Sequence, residues 1–309
     1  MPDPYDLVII GGGVAGLSAG IAAARLGMNA ILVERLAAGG QIINADVIEN
    51  YPGLPRTTKG PSLATTLQDQ ASAERLDFSF SQALSLDITK RPMVVSTDDE
   101  PLETHAVILA VGSTHAKLGV PGEAELEGHG VSYCATCDGA FYRGKDVAVI
   151  GGGDSALDEG LYLAKLCHKV TVLHDGEALT AQKVYQERAR RTANLEVVYN
   201  AETTAIQGGD DSVQGVAFVD RRTGQAHVLP ATGVFVYVGM QPATGPFAGV
   251  IPVDAGGHIK VGLDMATDVP GVFAAGDCRW RSVRQLAACA GDGVTAAFAA
   301  HTYVRGLRR

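Results

Sequence analysis

The sequence predicts an α/β chain built on two copies of one βαβ unit, and three observations carry that prediction. The stretch Leu7-Val-Ile-Ile-Gly11-Gly-Gly13-Val-Ala-Gly16 returns as Val147-Ala-Val-Ile-Gly151-Gly-Gly153-Asp-Ser-Ala156, and residues 7–35 align with 147–175 without a gap. Glycine is abundant at 38 residues while aromatics make up 6%, a balance typical of many short turns where backbone approaches backbone. A length of 309 residues is enough for two domains, each with a core of its own.

In the first copy, β-branched residues from Leu7 read as a buried strand, followed by a glycine turn, a helix through Leu26, and a strand Ala30–Val33 ending in Glu34. The glycine spacing carries a mechanism. Gly11 makes the tight turn, Gly13 lets a pyrophosphate approach the backbone, and Gly16 lets the helix pack on the strand. Glu34 falls where a carboxylate accepts from two ribose hydroxyls. Taken alone such a glycine motif is equally a structural turn, but strand, turn, helix, second strand and acid here occur in order, and the reading is nucleotide binding.

The second copy continues with a helix through Leu166 and a strand Val170–Leu173. Its candidate nucleotide residues are Gly151, Gly153, Asp154, Ala156, His174 and Asp175; Ala156 satisfies the packing demand of the third glycine position. The alternative is a fold relic that binds nothing. The alignment sets His174 opposite Glu34 and Asp175 opposite Arg35. A 2′-phosphate needs fixed positive charge at this strand end, none occurs from His174 to Gln182, and Asp175 would repel it. Asp175 would instead accept from the ribose hydroxyls of NADH, or serve as a solvated residue of the Asp175-Gly176 turn.

A net charge of −9 argues against a nucleic-acid partner; the tight arginine groups are Arg188, Arg190 and Arg191, and the terminal Arg305, Arg308 and Arg309. The apolar run Leu7–Ile10 is too short to span a bilayer and has no basic flank or cleavage site. A soluble, cytoplasmic protein with no membrane partner is therefore expected. Of five cysteines, Cys167, Cys278 and Cys289 are isolated and read as small buried apolar side chains. Cys134 and Cys137 are close, and in a reducing compartment a close pair points to redox chemistry or metal. Zinc would need two more ligands, and adjacent Cys167 and His168 do not face one point on a helix. An inert buried pair is the third reading. In redox exchange one sulfur attacks as thiolate and the leaving thiolate needs a proton. Asp138 is placed to handle that proton, its alternative role being a helix N-cap.

With these stretches in view the chain resembles the low-molecular-weight thioredoxin reductases. The matches are Ile9 to Gly16, Gly39-Gly40-Gln41, Glu49-Asn50-Tyr51-Pro52-Gly53, Ala110-Val111-Gly112, Val120-Pro121-Gly122-Glu123, Gly130 to Asp138, Gly151 to Ala156, Gly276-Asp277 and Arg284-Gln285. They span nearly the whole chain in the family's order. The resemblance implies two Rossmann-like, three-layer domains, an FAD domain of residues 1–114 and 244–309 interrupted by a second nucleotide-binding domain of residues 115–243. It also implies FAD contacts from Gly11, Gly13, Gly16, Glu34, Gly40, Gln41, Asn50, Gly112, Asp277, Arg284 and Gln285, with Asp277 at the ribityl chain and Gln285 beside the isoalloxazine. Cys134 and Cys137 would form the redox-active disulfide, Cys137 nearer the ring and Asp138 the acid. A rotation between domains would expose the dithiol to a thioredoxin-like protein, and the family is typically homodimeric.

One departure stands out. Where the family usually carries His-Arg-Arg and a later Arg to hold the 2′-phosphate of NADPH, this chain has His174-Asp175-Gly176 and Thr180. Losing three charge-assisted bonds of about 1.5–3 kcal/mol each removes any useful NADPH preference, unless Lys183 or the Arg188–Arg191 group reaches in. The donors left are NADH, an external ferredoxin, or a second flavin, since the chain has no iron–sulfur cysteine set. Competing readings are a dithiol oxidase using oxygen, against which Asp138 argues, and a non-catalytic FAD-binding redox sensor. Ferredoxin-nucleotide reductases of the same fold lack the cysteine pair. Arg279-Trp280-Arg281 reads as a stacking or docking surface, or as an ordinary partly exposed anchor.

Overall fold

In the computed structural model, which describes residues 3–209 and 212–308, the opening apolar run forms the strand Tyr5–Ile10. Leu7, Val8 and Ile9 are fully buried and Ile10 is 4% exposed, as a strand covered on both faces requires. Its side chains alternate: Leu7 and Ile9 join one core cluster with the alanine-rich helices, and Val8 and Ile10 join another with Leu86, Val95, Phe247 and Ile251. Burying each of these branched side chains contributes about 1.5–3 kcal/mol.

The chain divides into two compact units, one of residues 1–114 with 241–309 and one of residues 115–240. The first holds a seven-stranded sheet in which Asp77–Ser79, Ala30–Val33, Tyr5–Ile10 and Leu102–Leu109 run parallel, and Met93–Thr97 and Ala83–Asp87 continue it antiparallel. Val272–Ala274 pairs in parallel with Leu102–Leu109 at its end. Helices Val14–Arg25 and Leu286–Leu307 cross at backbone distance, because a Cβ at Gly293 would lie 2.1 Å from the Ala15 carbonyl oxygen. The alanines of both helices permit that approach.

The second unit has a five-stranded parallel sheet in the order Leu195–Val198, Lys169–Leu173, Asp146–Ile150, Gly233–Val236, Val131–Ser132. Helices Asp154–Ala164 and Lys183–Arg191 contribute Leu157, Leu163 and Ala189 to the core on one face. On the other, an antiparallel three-stranded meander from Ala201 to Pro230 contributes Ile206, Val213 and Val216. Strand pairing repeats with the sequence: Leu7 sits opposite Ala30 in the first unit, and the aligned Val147 opposite the aligned Val170 in the second. Two Rossmann-like α/β units thus match the predicted fold class. Among the described residues no helix is long and apolar enough to cross a membrane.

Candidate active site

At the first glycine turn, Gly11 has φ +105°, and a Cβ there would lie 2.4 Å from the Ala110 carbonyl oxygen. Only glycine serves. A Cβ at Gly16 would fall 1.8 Å from the Gly11 carbonyl oxygen, so Gly16 sets helix against turn and lies beneath the cleft rather than in it. Beyond Gly13 a Cβ would meet nothing within 4 Å. This open space leads to the start of helix Val14–Arg25, whose first turn has no acidic residue, leaving its N–H groups for an anion. Glu34 Oε2 accepts from the Gly12 N–H at 2.7 Å and Oε1 from the Leu36 N–H at 3.1 Å, which aims the carboxylate along the cleft wall.

The cleft has a volume of about 530 Å³, and Gly11, Gly13, Glu34, Gly40, Gln41, Gly112 and Asp277 all line it. Asn50, Arg284 and Gln285 stand outside that lining. Asn50 Nδ2 donates to Gln285 Oε1 at 3.0 Å across 235 residues of sequence, and Arg284 is exposed with φ +52°. Asp277 Oδ1 accepts from Ser282 Oγ at 3.4 Å and from Cys289 Sγ at 3.2 Å. Cys289 is thus brought to the cleft by helix Leu286–Leu307, a placement its isolation in sequence gave no hint of; burial pushes its thiol pKa up. An open glycine cradle, a free helix start and two oriented carboxylates fit a dinucleotide such as FAD.

The second glycine turn repeats the backbone and changes the filling. Gly151 has φ +139°, and a Cβ there would lie 2.3 Å from the Tyr237 carbonyl oxygen; buried Ala156 packs beside it. His174, in Glu34's place, is 7% exposed and lies under Gly152, where a Cβ would sit 2.3 Å from Nδ1. Its Nε2 lies 2.9 Å from the Ala178 carbonyl oxygen, while Nδ1, 3.5 Å from Asp175 Oδ1, is too poorly directed for a hydrogen bond. His174 therefore shapes the turn. Beside Gly153, Asp154 accepts from Gln182 at N (2.7 Å) and Nε2 (2.5 Å), and Thr180 Oγ1 donates to the Gly152 carbonyl at 3.2 Å.

Arg221 supplies what the local sequence lacked. From the end of strand Ser212–Asp220 its Nη1 reaches Asp175 Oδ2 at 3.3 Å, and its Nε bonds Glu202 Oε2 at 3.0 Å. An arginine stands at this strand end after all, already paired with acids. Arg188, Arg190 and Arg191 lie in the last turn of helix Lys183–Arg191, while Lys183 begins it. The Arg279-Trp280-Arg281 cluster resolves into two parts: Arg279 bonds Asp292 through Nε at 2.6 Å, and Arg281 lies 4.1 Å over the Trp280 ring.

Cys134 and Cys137 are joined by a disulfide across helix Ala135–Asp138, with Cys134 as its N-cap, and the Cys137 N–H donates to Cys134 Sγ at 3.2 Å. Asp138 stands at the N-cap position of the 3-10 turn Gly139–Tyr142 without a side-chain cap bond; its Oδ2 accepts from Ser132 Oγ at 2.6 Å, and Ser132 Oγ accepts from the Cys134 N–H at 3.1 Å. Acid and cysteine thus share one hydroxyl. Two further groups escaped the sequence reading. Glu159, on helix Asp154–Ala164, accepts from the Ala135 N–H at 3.1 Å, and that N–H also meets Tyr237 Oη at 2.9 Å. Burial first, then neighbouring Asp158, pushes the Glu159 pKa from 4.5 to about 7. Burial and the nearby Glu159 charge push that of Tyr237 far up. A helical acid three positions past the glycine motif carries no signal of its own, because only the fold brings it to the cysteine turn.

Residues 5–293 match the family model described as pyridine nucleotide-disulphide oxidoreductase. A thioredoxin reductase of Bacillus subtilis is 38% identical over 304 residues, covering 98% of this chain and 96% of that protein. The crystal structure of Lactococcus lactis thioredoxin reductase superposes with a TM-score of 0.96 at 36% identity, covering 98% of this chain and 99% of that one. A ferredoxin-flavin thioredoxin reductase from Clostridium acetobutylicum gives a TM-score of 0.55 at 28% identity, covering 99% of both chains. With the glycine cleft, the cysteine pair and these likenesses together, the chain belongs to the pyridine nucleotide-disulphide oxidoreductase family, as a flavin-dependent disulfide oxidoreductase of the low-molecular-weight thioredoxin-reductase type.

Proposed function

We propose that the chain carries electrons through Cys134 and Cys137 to a thioredoxin-like disulfide, with a donor other than NADPH. The observation that carries this reading is the Cys134–Cys137 disulfide set beside the Ser132–Asp138 pair. FAD, when bound, supplies the two-electron relay between donor and disulfide. Gly13 and the start of helix Val14–Arg25 would hold its pyrophosphate, Glu34 its ribose diol, and Asp277 its ribityl hydroxyls.

Opening the disulfide takes two electrons and two protons and leaves two thiols. One thiol ionises, its thiolate attacks the partner's disulfide, and the partner's S–S bond breaks as a mixed disulfide forms. The other cysteine sulfur then attacks that mixed disulfide, which restores Cys134–Cys137 and releases the partner as a dithiol. Asp138 receives and returns the proton through this cycle, oriented by Ser132.

The donor reading rests on the end of strand Lys169–Leu173. Asp175 stands there, and Arg221 is engaged with Asp175 and Glu202. A 2′-phosphate would have to displace Asp175, whereas the ribose diol of NADH would accept its company. Reduced ferredoxin or a second flavin in the second nucleotide site are the other donors, the former supported by the likeness to the clostridial enzyme. We further propose a homodimer working in the reducing cytoplasm.

Anaerobic mixing of the flavin-loaded protein with NADH, NADPH or reduced ferredoxin tests the donor through the visible flavin absorbance. Bleaching by NADH or ferredoxin is expected, and rapid bleaching by micromolar NADPH would overturn the reading. Oxygen uptake driven by a small dithiol without nucleotide would favour the oxidase.

A further inference from the structure

The dithiol turn rests on a buried acid that the exchange chemistry above does not use. Helix Ala135–Asp138 is a single turn, too short to hold itself, and its first N–H groups need acceptors. Ala135 N–H is shared between Glu159 Oε2 and Tyr237 Oη, and Thr136 N–H also bonds the Glu159 carboxylate. The next donor, Cys137 N–H, points at Cys134 Sγ. Sulfur and carboxylate therefore draw on successive N–H groups of the same turn.

We propose that Glu159 is a positioning residue of the dithiol centre, whose carboxylate holds the turn in place and whose negative charge opposes a thiolate at Cys134. The inference rests on the exchange role proposed for Cys134 and Cys137. Two like charges on one turn each disfavour the other, so the protonation of Glu159 and the ionisation of Cys134 are coupled. The carboxylate loses its proton near pH 7, because burial and Asp158 raise its pKa to about 7. Attack on a disulfide at that pH is tuned by a group other than the proton-transfer acid.

The titratable groups that bear on Glu159 come from three elements. Asp158 neighbours it on its own helix, Tyr237 Oη approaches from beyond strand Gly233–Val236, and Asp138 bears on Tyr237 from the cysteine turn. The ring of His115 stands edge-on to Tyr237 at 5.9 Å, its pKa lowered by burial and then by Lys117, which leaves it uncharged at neutral pH. Asp158 is the charged neighbour that bears on Glu159 most, and its like charge adds to the effect of burial.

The test is alkylation of the dithiol-reduced holoprotein by iodoacetamide across pH 5–10, with labelled Cys134 and Cys137 quantified by peptide mass. Glu159→Gln keeps an acceptor for the two N–H groups and removes the charge. It is expected to raise the Cys134 rate at neutral pH about three- to tenfold, a change of half to one unit in thiol pKa, and to remove an inflection near pH 7. Glu159→Ala should slow turnover more than Glu159→Gln, because the turn loses its acceptor as well. Identical alkylation profiles for wild type and Glu159→Gln would overturn the proposal. Because alkylation needs no donor and no thioredoxin, a failed exchange assay with a shifted profile would count against the proposed function and not against Glu159. Should Glu159→Ala fail to fold, the Gln variant alone decides.

Discussion

The two glycine-rich turns share backbone, register and first-helix face, and differ in what fills them. Below the first, Glu34 bonds the Gly12 N–H and leaves the cleft open; below the second, His174 fills the space under Gly152. One helical turn later the contrast repeats. Ala19 is fully buried where Gly293 of the last helix crosses, while the aligned Glu159 reaches the cysteine turn. A folding unit can thus be copied with its strand pairing intact while the chemistry is rewritten at three or four positions, because the parallel pairing depends on backbone and β-branched residues and the chemistry on the residues at the strand ends.

The comparison breaks most completely at the Cys134–Cys137 pair, which lies in the second unit. Cys134→Ser or Cys137→Ser is expected to drop turnover on a thioredoxin-like substrate to background while the purified protein keeps its flavin absorbance; loss of flavin from either variant would mean that the cleft and the dithiol are not separable. Next comes the third small position. Gly16→Ala places a methyl 1.8 Å from the Gly11 carbonyl oxygen and should destabilise the first unit by about 1–3 kcal/mol and release flavin. The aligned Ala156→Gly should cost only about 1 kcal/mol in a helix and leave flavin bound, read by denaturant titration with flavin absorbance.

A third prediction follows the pair Ala19 and Glu159 through pH. The Glu159 pKa is raised in the folded chain from 4.5 to about 7, so the folded state binds the proton more tightly than the unfolded one. Its stabilising contribution is therefore full below pH 4.5 and lost as pH rises through 7. Glu159→Gln should gain stability relative to wild type between pH 5 and pH 9, by about 3 kcal/mol at most, in guanidinium titrations at the two pH values. An unchanged difference would place the acid in solvent. The smallest effect is at the strand end: Asp175→Arg should shift preference from NADH toward NADPH by about ten- to a hundredfold in KM, the worth of one charge-assisted bond. No shift would mean that Arg221 or the turn blocks the 2′-phosphate.

Legibility followed distance along the chain. The helix predicted through Leu26 ends at Arg25 with Leu26 as its cap, and the strand Ala30–Val33 lies where expected, because glycine turns and β-branched runs act locally. The second helix stops at Ala164, short of the expected Leu166, as the chain turns to place His168 opposite Asp146 at 2.6 Å. Asp138 was expected as proton acid or N-cap; it stands at the head of the 3-10 turn Gly139–Tyr142, but its carboxylate bonds Ser132 instead of that turn's N–H groups. Arg221 and Glu159 were invisible as neighbours of Asp175 and Cys134. Arg221 lies 46 residues from Asp175 and Glu159 lies 24 from Ala135, and no periodicity links such positions.

What the sequence by itself determined is the pair of βαβ units, the glycine turns at their heads, the cysteine pair and the family, since each is written in residues close enough to act on one backbone segment. Only the tertiary structure decided which side chain packs under each turn, where Arg221 places its charge, and that an acid from the second unit's helix bonds the cysteine turn. Those outcomes depend on side chains meeting across sheets and between loops, where burial and hydrogen bonding set the energies and sequence order says nothing.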